Sequence, residues 1–585
     1  MGSYFDAEMR LLQETAQEFA RAFPEKARLL NLLDVKDRDP YVERLLEGMA
    51  FLTAEVKQRI DNDIPELSEA LLSHVRPCFL RPFPSCCIMQ FTPRPGQLPQ
   101  TLILPRGTQL SSGSINVPGQ GPGALDERVH CRFRTTSEVE LQPLRLANFQ
   151  LDTPVHGRQT ARLHFQLDHD VSPDELDLKS LKIYLHGDHS TAMELYHSFT
   201  AQIAQVEIAY PGHPNPPFRL GGQETVKPCH LDPDQVMIPS SGRDFPGFHL
   251  LHEYFCFPEK YLFVAVHHLD RLTWPDDCCE FEILCHLREP LGDDLRLSKD
   301  NFRLHCAPAI NLFESSSEPI QRHHRQWEYP VIANNNNSAS LQVYSVNGVT
   351  GAQPRTGLRK NYAPLPQFDH GGHHESYFQV GHRHREGLRP QTYLAIGGAL
   401  SEEPETLSCD ITVFNGNVPR DHLQTGDIRA PGQGFPTNVT ACNITRPTPM
   451  RLPPQRADYR MALVTHLSVG YNSLVSRDNL RQLLMLYNWS DQPQNRRRIR
   501  GITEIQLKPL HRVHRGALLR GVDIQLEMAE RDYLSPADAY LFGTILHHFF
   551  TMYVTVNAFV QTGSQLSPSK SELIWEPLLG ENFLI

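Results

Sequence analysis

The sequence has no C-x-x-C pair, no G-x-x-x-x-G-K-[ST] phosphate loop, no G-x-G-x-x-G, no G-x-S-x-G elbow and no H-E-x-x-H. These absences remove the common signatures of thiol redox centres, nucleotide hydrolysis, dinucleotide binding, serine hydrolysis and helical zinc sites. Basic charge is also short: 56 Lys and Arg stand against 67 Asp and Glu, a net charge of −11 with His neutral. Apart from Arg496-Arg497-Arg498-Ile499-Arg500 the cations are dispersed, so nucleic acid is not an expected partner. That run reads as an exposed basic loop between a helix and a strand. The opening residues Met1-Gly2-Ser3-Tyr4-Phe5-Asp6 lack the basic and apolar regions of a secretory leader, which makes the cytoplasm the expected location. The twelve cysteines are scattered, with adjacent pairs only at Cys86-Cys87 and Cys278-Cys279. Reduced, mostly buried thiols are expected, not a disulfide framework. No internal repeat of solenoid or propeller period is visible.

What is present is an ordinary globular balance, 40% apolar and 21% charged, in a chain long enough for three or four domains. Phe5, Met9, Leu12, Ala16, Phe19 and Phe23 recur at alternating steps of four and three, which places them on one face of a helix at a coiled-coil repeat, and Pro24 stops it. Asp39 as N-cap and Pro40 at the first helical position announce a second helix, with Val42, Leu45, Met49, Leu52 and Val56 at the same spacing. A third helix is expected through Leu67, Leu71, Leu72 and Val75, ending before Pro77. Periodicity assigns the second and third stripes to packing within the chain. It leaves the first open between an intrachain bundle and one shared with another subunit.

The middle of the chain, rich in Pro and Gly turns, carries short alternating runs such as Val129–Phe133 and Ala161–Leu167, which predict half-buried antiparallel strands. Residues 350–389, with Gly, Pro, His and Arg, read as a long connection. After a Pro-rich linker, Ser476 caps a helix through Leu480, Leu483, Leu484 and Tyr487, and strands follow at 502–507 and 522–526. Ser535-Pro536-Ala537-Asp538 opens a final long helix on which Leu541, Ile545, Phe549 and Tyr553 stack beside Phe542, Leu546, Phe550 and Val554. Its central His547 and His548, with hydroxyls around them, argue for a buried core helix and against a membrane span. The expected fold class is α+β: an N-terminal helical bundle (1–84), two β-rich regions of mainly antiparallel strands (85–310 and 311–455), and a C-terminal α/β part (456–585) ending in a long buried helix.

One histidine cluster is a candidate metal site: His370, His373 and His374, continued by His382 and His384. No helix orders these ligands and few carboxylates stand nearby, so an exposed polar loop is the expectation, with no metal, no cofactor and no catalytic residue assigned. A metal-dependent enzyme or a glycan-binding β-module using the 370–384 loop is the alternative.

Asp39-Pro-Tyr-Val-Glu-Arg-Leu-Leu-Glu-Gly-Met-Ala-Phe-Leu-Thr-Ala54, Ile64-Pro-Glu-Leu-Ser-Glu-Ala-Leu-Leu72 and Arg81-Pro-Phe-Pro-Ser85 resemble the N-terminal signature of the TssF family of type VI secretion baseplate subunits. Phe133-Arg-Thr135, Phe255–Phe263, Thr465–Val469 and Asn557-Ala-Phe559 follow in family order, while residues 337–389 match little of it. The resemblance implies a non-enzymatic wedge component in which two copies join TssG through a helical bundle. It further implies contact with TssK, TssE and the spike hub, and docking on the cytoplasmic side of a membrane complex without insertion into the membrane. Under it, Phe5, Met9, Leu12, Ala16, Phe19, Phe23, Val42, Leu45, Met49 and Leu52 become the candidate partner-binding residues.

Overall fold

The computed structural model describes residues 76–580 except 119–125, 154–156, 169–177, 214–215, 240–244, 276–277, 293–294, 324–325, 335–340, 354–356, 366–375, 384–390, 399–404, 455–456, 467–475, 491, 515–516 and 557; before residue 76 it describes 5, 9–12, 15, 44–45, 47–55 and 71–73. The chain divides into two compact units, Met1–Pro77 with Pro454–Ser468, and Cys78–Pro453 with Val469–Ile585. In the first unit the described residues before 76 are helical, and the helix Ala457–His466 is grouped with them. Among its described residues the buried apolar side chains are Ala50, Ala54, Leu72, Tyr459 and Leu463.

The second unit is α+β, as the alternating runs predict. Six antiparallel strands stand in the order Ile428–Pro431, Gln109–Ser112, Arg132–Thr135, Cys306–Ile310, Cys86–Pro93 and Val439–Asn443, so this sheet is built from both β-rich regions. Met89, Phe91, Phe133, Ala307, Ala309 and Ile428 form its core. A five-stranded antiparallel sheet shows the alternation at work. On Thr160–Leu167, Ala161, Leu163, Phe165 and Leu167 are buried, while Arg162 on the other face bridges Asp152 at 2.9 Å and Glu282 at 2.6 Å.

A further sheet corrects the reading of residues 350–389 as a connection. Arg359–Pro364 and Ser376–Arg383 are strands there, joined to each other in parallel and to Gln342–Ala352 and Gln391–Gly398 in antiparallel pairs. Their pattern is faint because Tyr362 and Phe378 are the apolar anchors and His, Gly and Arg occupy many remaining positions. Tyr362 donates to Glu405 at 2.6 Å, and Glu405 also holds the buried Arg322 at 3.2 Å. Gly351 makes room for this group, since a Cβ there would collide with the Glu405 carboxylate.

Two helices and the strand Ala558–Ser567 pack on the final helix, Pro536–Met552, and bury it as predicted. It packs on His189–Thr200 and Pro246–Cys256; the latter meets Arg477–Tyr487, which meets Pro493–Gly501. The cap is the expected one: the Ser535 hydroxyl accepts from the Asp538 amide at 3.3 Å, and the Asp538 carboxylate accepts from the Leu534 amide at 3.0 Å. Aromatic rings fill the seam, Phe542 on Tyr254 at 5.9 Å and Tyr540 on Trp575 at 5.3 Å. Gly543 permits that approach, because a Cβ would lie 2.3 Å from the Trp575 ring. No helix among the described residues is long and apolar enough to cross a membrane. The helix does not end the C-terminal part: Ala558–Ser567 follows and pairs in parallel with Ala517–Ala529, completing a strand–helix–strand crossover.

The run 496–500 is not an exposed loop. It lies in the helix Pro493–Gly501, and Arg498 is buried with its Nε 2.8 Å from Asp538 Oδ1. Its guanidinium also donates to Asn495 Oδ1 at 2.8 Å and contacts His189 Nε2 at 3.2 Å. Helical periodicity explains the difference, since one cation of the run turns inward where a carboxylate at the start of the final helix awaits it.

Candidate partner-binding surface

Among the described residues the chain's candidate site is an uncovered helix face in the first unit. Leu45, Met49 and Leu52 lie at i, i+4 and i+7 on the helical residues 44–45 and 47–55, and they are 69%, 53% and 62% exposed. Phe51 beside them is half exposed, whereas Ala50 and Ala54 are fully buried. This reverses the expectation that the larger stripe packs within the chain. Two alanines one turn apart let neighbouring backbone approach closely, so the small residues supply the internal contact and the large ones are left outward. Arg44, Glu47 and Glu55 are exposed around the stripe, giving an apolar centre with a charged rim.

The first helix is less open. Phe5, Met9 and Leu12 are half-buried and Leu11 is exposed. Ala16, Phe19, Phe23 and Val42 lie outside the described residues, so the seam's regularity is visible only in its first half. Full burial of an aliphatic side chain is worth roughly 1.5–3 kcal/mol. Covering the exposed parts of Leu45, Met49 and Leu52 would therefore release roughly 3–5 kcal/mol before the costs of association.

Catalytic alternatives find less support. His370, His373, His374 and His384 lie outside the described residues. His382 is on the strand Ser376–Arg383, with Nδ1 3.3 Å from Thr392 Oγ1. No group of three or more His, Cys, Asp or Glu able to hold a metal is found among the described residues. All twelve cysteines are free and most are buried. Burial pushes the thiols of Cys131, Cys229 and Cys285 up to about 12, so none of these three is an activated nucleophile. The open clefts are lined chiefly by solvated strand faces; one of about 400 Å³ is bordered by His197, Arg288, Tyr540 and Trp575.

Sequence reasoning missed two features. The helix Pro246–Cys256 buries even its polar His249, His252 and Glu253, so no solvent-facing side marks it. The strands expected at 502–507 and 522–526 are in fact Ile502–His514 and Ala517–Ala529, a long hairpin. The signal available for its outer half was charge, because no Asp or Glu stands between Gln506 and Asp523.

Comparison with known proteins gives a consistent picture. The profile of the family described as "Type VI secretion system, TssF" matches residues 1–582. A curated relative, type VI secretion system component TssF1 of Pseudomonas aeruginosa, is 27% identical over an alignment of 638 residues that spans 98% of this chain and 97% of that protein. A chain in the cryo-electron microscopy structure of a TssK-TssF-TssG baseplate subcomplex is similar with a TM-score of 0.77 and 29% identity, over 92% of this chain and 98% of that one. A chain of a type VI secretion baseplate complex is similar with a TM-score of 0.60 and 28% identity, over 98% of each.

Proposed function

Because the chain belongs to the TssF family of the type VI secretion system, we propose that it is a structural subunit of that system's baseplate, assembling with TssG and TssK. The observation that carries the reading at the level of residues is the uncovered stripe Leu45, Met49 and Leu52, an apolar helix face of the kind a shared bundle buries. Its role is mechanical: it holds partners in register and performs no chemistry. In this reading the seam from Phe5 to Phe23 and the stripe from Val42 to Leu52 form the bundle with TssG, joined by a second copy of this chain. The wedge then contacts TssE and the spike hub and docks, from the cytoplasm, on the membrane complex, where tube and sheath polymerisation begins.

Co-expression with TssG and TssK followed by affinity purification tests it. A complex containing all three is expected from the unaltered chain. Leu12→Glu/Phe19→Glu should leave a soluble, folded chain that no longer copurifies with TssG, because an unpaired polar group in a desolvated bundle costs roughly 2–7 kcal/mol even when neutral and a charged carboxylate costs more. Retained TssG binding would remove the seam from the interface.

A further inference from the structure

The hairpin of Ile502–His514 and Ala517–Ala529 is longer than the sheet that holds it. Its second strand pairs with Ala558–Ser567 from Arg520↔Ala558 to Ala529↔Ser567, so the outer pairs, from Arg512↔Leu519 to His514↔Ala517, form a two-stranded arm beyond the third strand. At about 3.4 Å per residue the arm reaches roughly 10 Å past Arg520. Its base is fixed, because the Phe559 ring lies across Gly521, where a Cβ would come within 2.4 Å of it. Pro509, on the strand at the edge of the sheet, works against the addition of another strand, so side chains decide what the arm meets.

Residues opposite one another in the ladder share a face. Leu518 with Val513, then Arg520 with His511, continue the face that buries Ile524 and Leu526; Leu519 with Arg512, then Gly521 with Leu510, lie on the other. Val513 and Leu518 are 69% and 67% exposed, side by side near the end of the arm. Arg512 and Arg520 are exposed just behind them, one on each face, and neither has an ion-pair partner among the described residues. Lys508, nearer the base, stands opposite Asp523. From Leu507 to Val522 the sequence holds Lys508, Arg512, Arg515 and Arg520 and no Asp or Glu, in a chain of net charge −11.

This order of groups selects the partner. A protein surface meets one face of a ribbon, whereas the arm is cationic on both faces and apolar near its end. A lipid surface matches that order, with anionic headgroups around the shaft and hydrocarbon beneath the tip. The screening length at 0.1 M salt is also about 10 Å, so an arm of this reach meets such a surface with the acidic remainder of the chain largely screened from it. We propose that the arm rests on an anionic bilayer surface, Val513 and Leu518 entering at headgroup depth and Arg512 and Arg520 pairing with lipid phosphates on either side. The contact is peripheral and spans nothing. It goes beyond the baseplate reading and does not depend on it.

Flotation of the full chain with vesicles tests it. The chain is expected to float with vesicles of phosphatidylglycerol and phosphatidylcholine and to stay behind with phosphatidylcholine alone. Arg512→Gln/Arg520→Gln should weaken binding about 25-fold, since each cation near such a surface contributes about fivefold. Val513→Ser/Leu518→Ser should weaken it about tenfold by removing the apolar tip. Both variants should melt as the unaltered chain does, because the four side chains are already in water. Leu518→Trp supplies a readout of depth: bromine on the upper acyl chains of the phosphatidylglycerol vesicles should quench its emission beyond any quenching of the unaltered chain. No flotation, flotation that both double variants retain in full, an unquenched Leu518→Trp, or arm-dependent capture by heparin without flotation would each overturn the proposal.

Discussion

Two helices of this chain carry large apolar residues one turn apart and finish in opposite surroundings. On Pro536–Met552 the double row of Leu541, Ile545, Phe549 and Phe542, Leu546, Phe550 is buried, enclosed by two helices and a strand. On residues 44–45 and 47–55 the row of Leu45, Met49 and Leu52 is in water, and the residues turned inward are alanines. Periodicity announces both helices equally well. What differs is the width of the apolar face and the presence of complementary groups within the same chain, such as Arg498 for Asp538 and Trp575 for Gly543. A helix with such partners is core; under the proposed function, a narrow stripe without them is a surface for assembly.

Acid should widen this contrast most. His252 sits among Phe83, Trp489 and Phe79, His305 Nε2 accepts from the Gln142 amide, and His547 is held between the Thr562 hydroxyl and the Glu576 carbonyl. Burial lowers these three imidazoles to about 3, 4 and 3. Each is neutral when folded and takes up a proton on unfolding below the usual histidine value of about 6.5. Their stabilisation is therefore complete above that pH and is lost as pH falls towards their folded values. From pH 7 to 5 each accounts for a loss of roughly 2 kcal/mol, or about 6 together. The carboxyl of the partly buried Glu259, pushed up by burial, acts in the opposite sense at lower pH. Denaturant melts at the two pH values check this, and a second unit as stable at pH 5 as at 7 would contradict it.

Within the buried helix, Asp538→Ala strands Arg498 without its partner and removes the acceptor for the Leu534 amide. A loss of about 3–5 kcal/mol is expected, with part recovered in Arg498→Met/Asp538→Leu. Chemical denaturation of the three variants decides it. Gly543→Ala should cost less, about 1–3 kcal/mol, by driving a methyl into Trp575, and its thermal midpoint should fall accordingly. Leu45→Ala on the exposed stripe should lie within about 0.5 kcal/mol of the unaltered chain.

The sequence made the ends of elements legible where a cap or a proline marks them: Ser476 and Ser535 stand as N-caps of their helices, and the alternation of Ala161 to Leu167 predicts its strand. Illegible were elements whose neighbours supply the pattern. Pro246–Cys256 is buried on every side, and Arg359–Pro364 and Ser376–Arg383 rest on single aromatic anchors. Arg498 looked like one cation of a surface run because its carboxylate lies 40 residues further along the chain. The candidate surface was half legible. Spacing located Leu45, Met49 and Leu52 on one face, but only the burial of Ala50 and Ala54 shows that this face points outward.

The most direct measurement places a charge on each helix and reads stability and assembly from the same preparations. Leu45→Glu/Leu52→Glu should melt within a few degrees of the unaltered chain, since both side chains are already in water, and should fail to copurify with TssG. Ile545→Glu should fail to fold, or melt far lower. A Leu45→Glu/Leu52→Glu chain that still captures TssG, or that unfolds as Ile545→Glu does, would contradict the claim that one stripe is made for assembly and the other for the core.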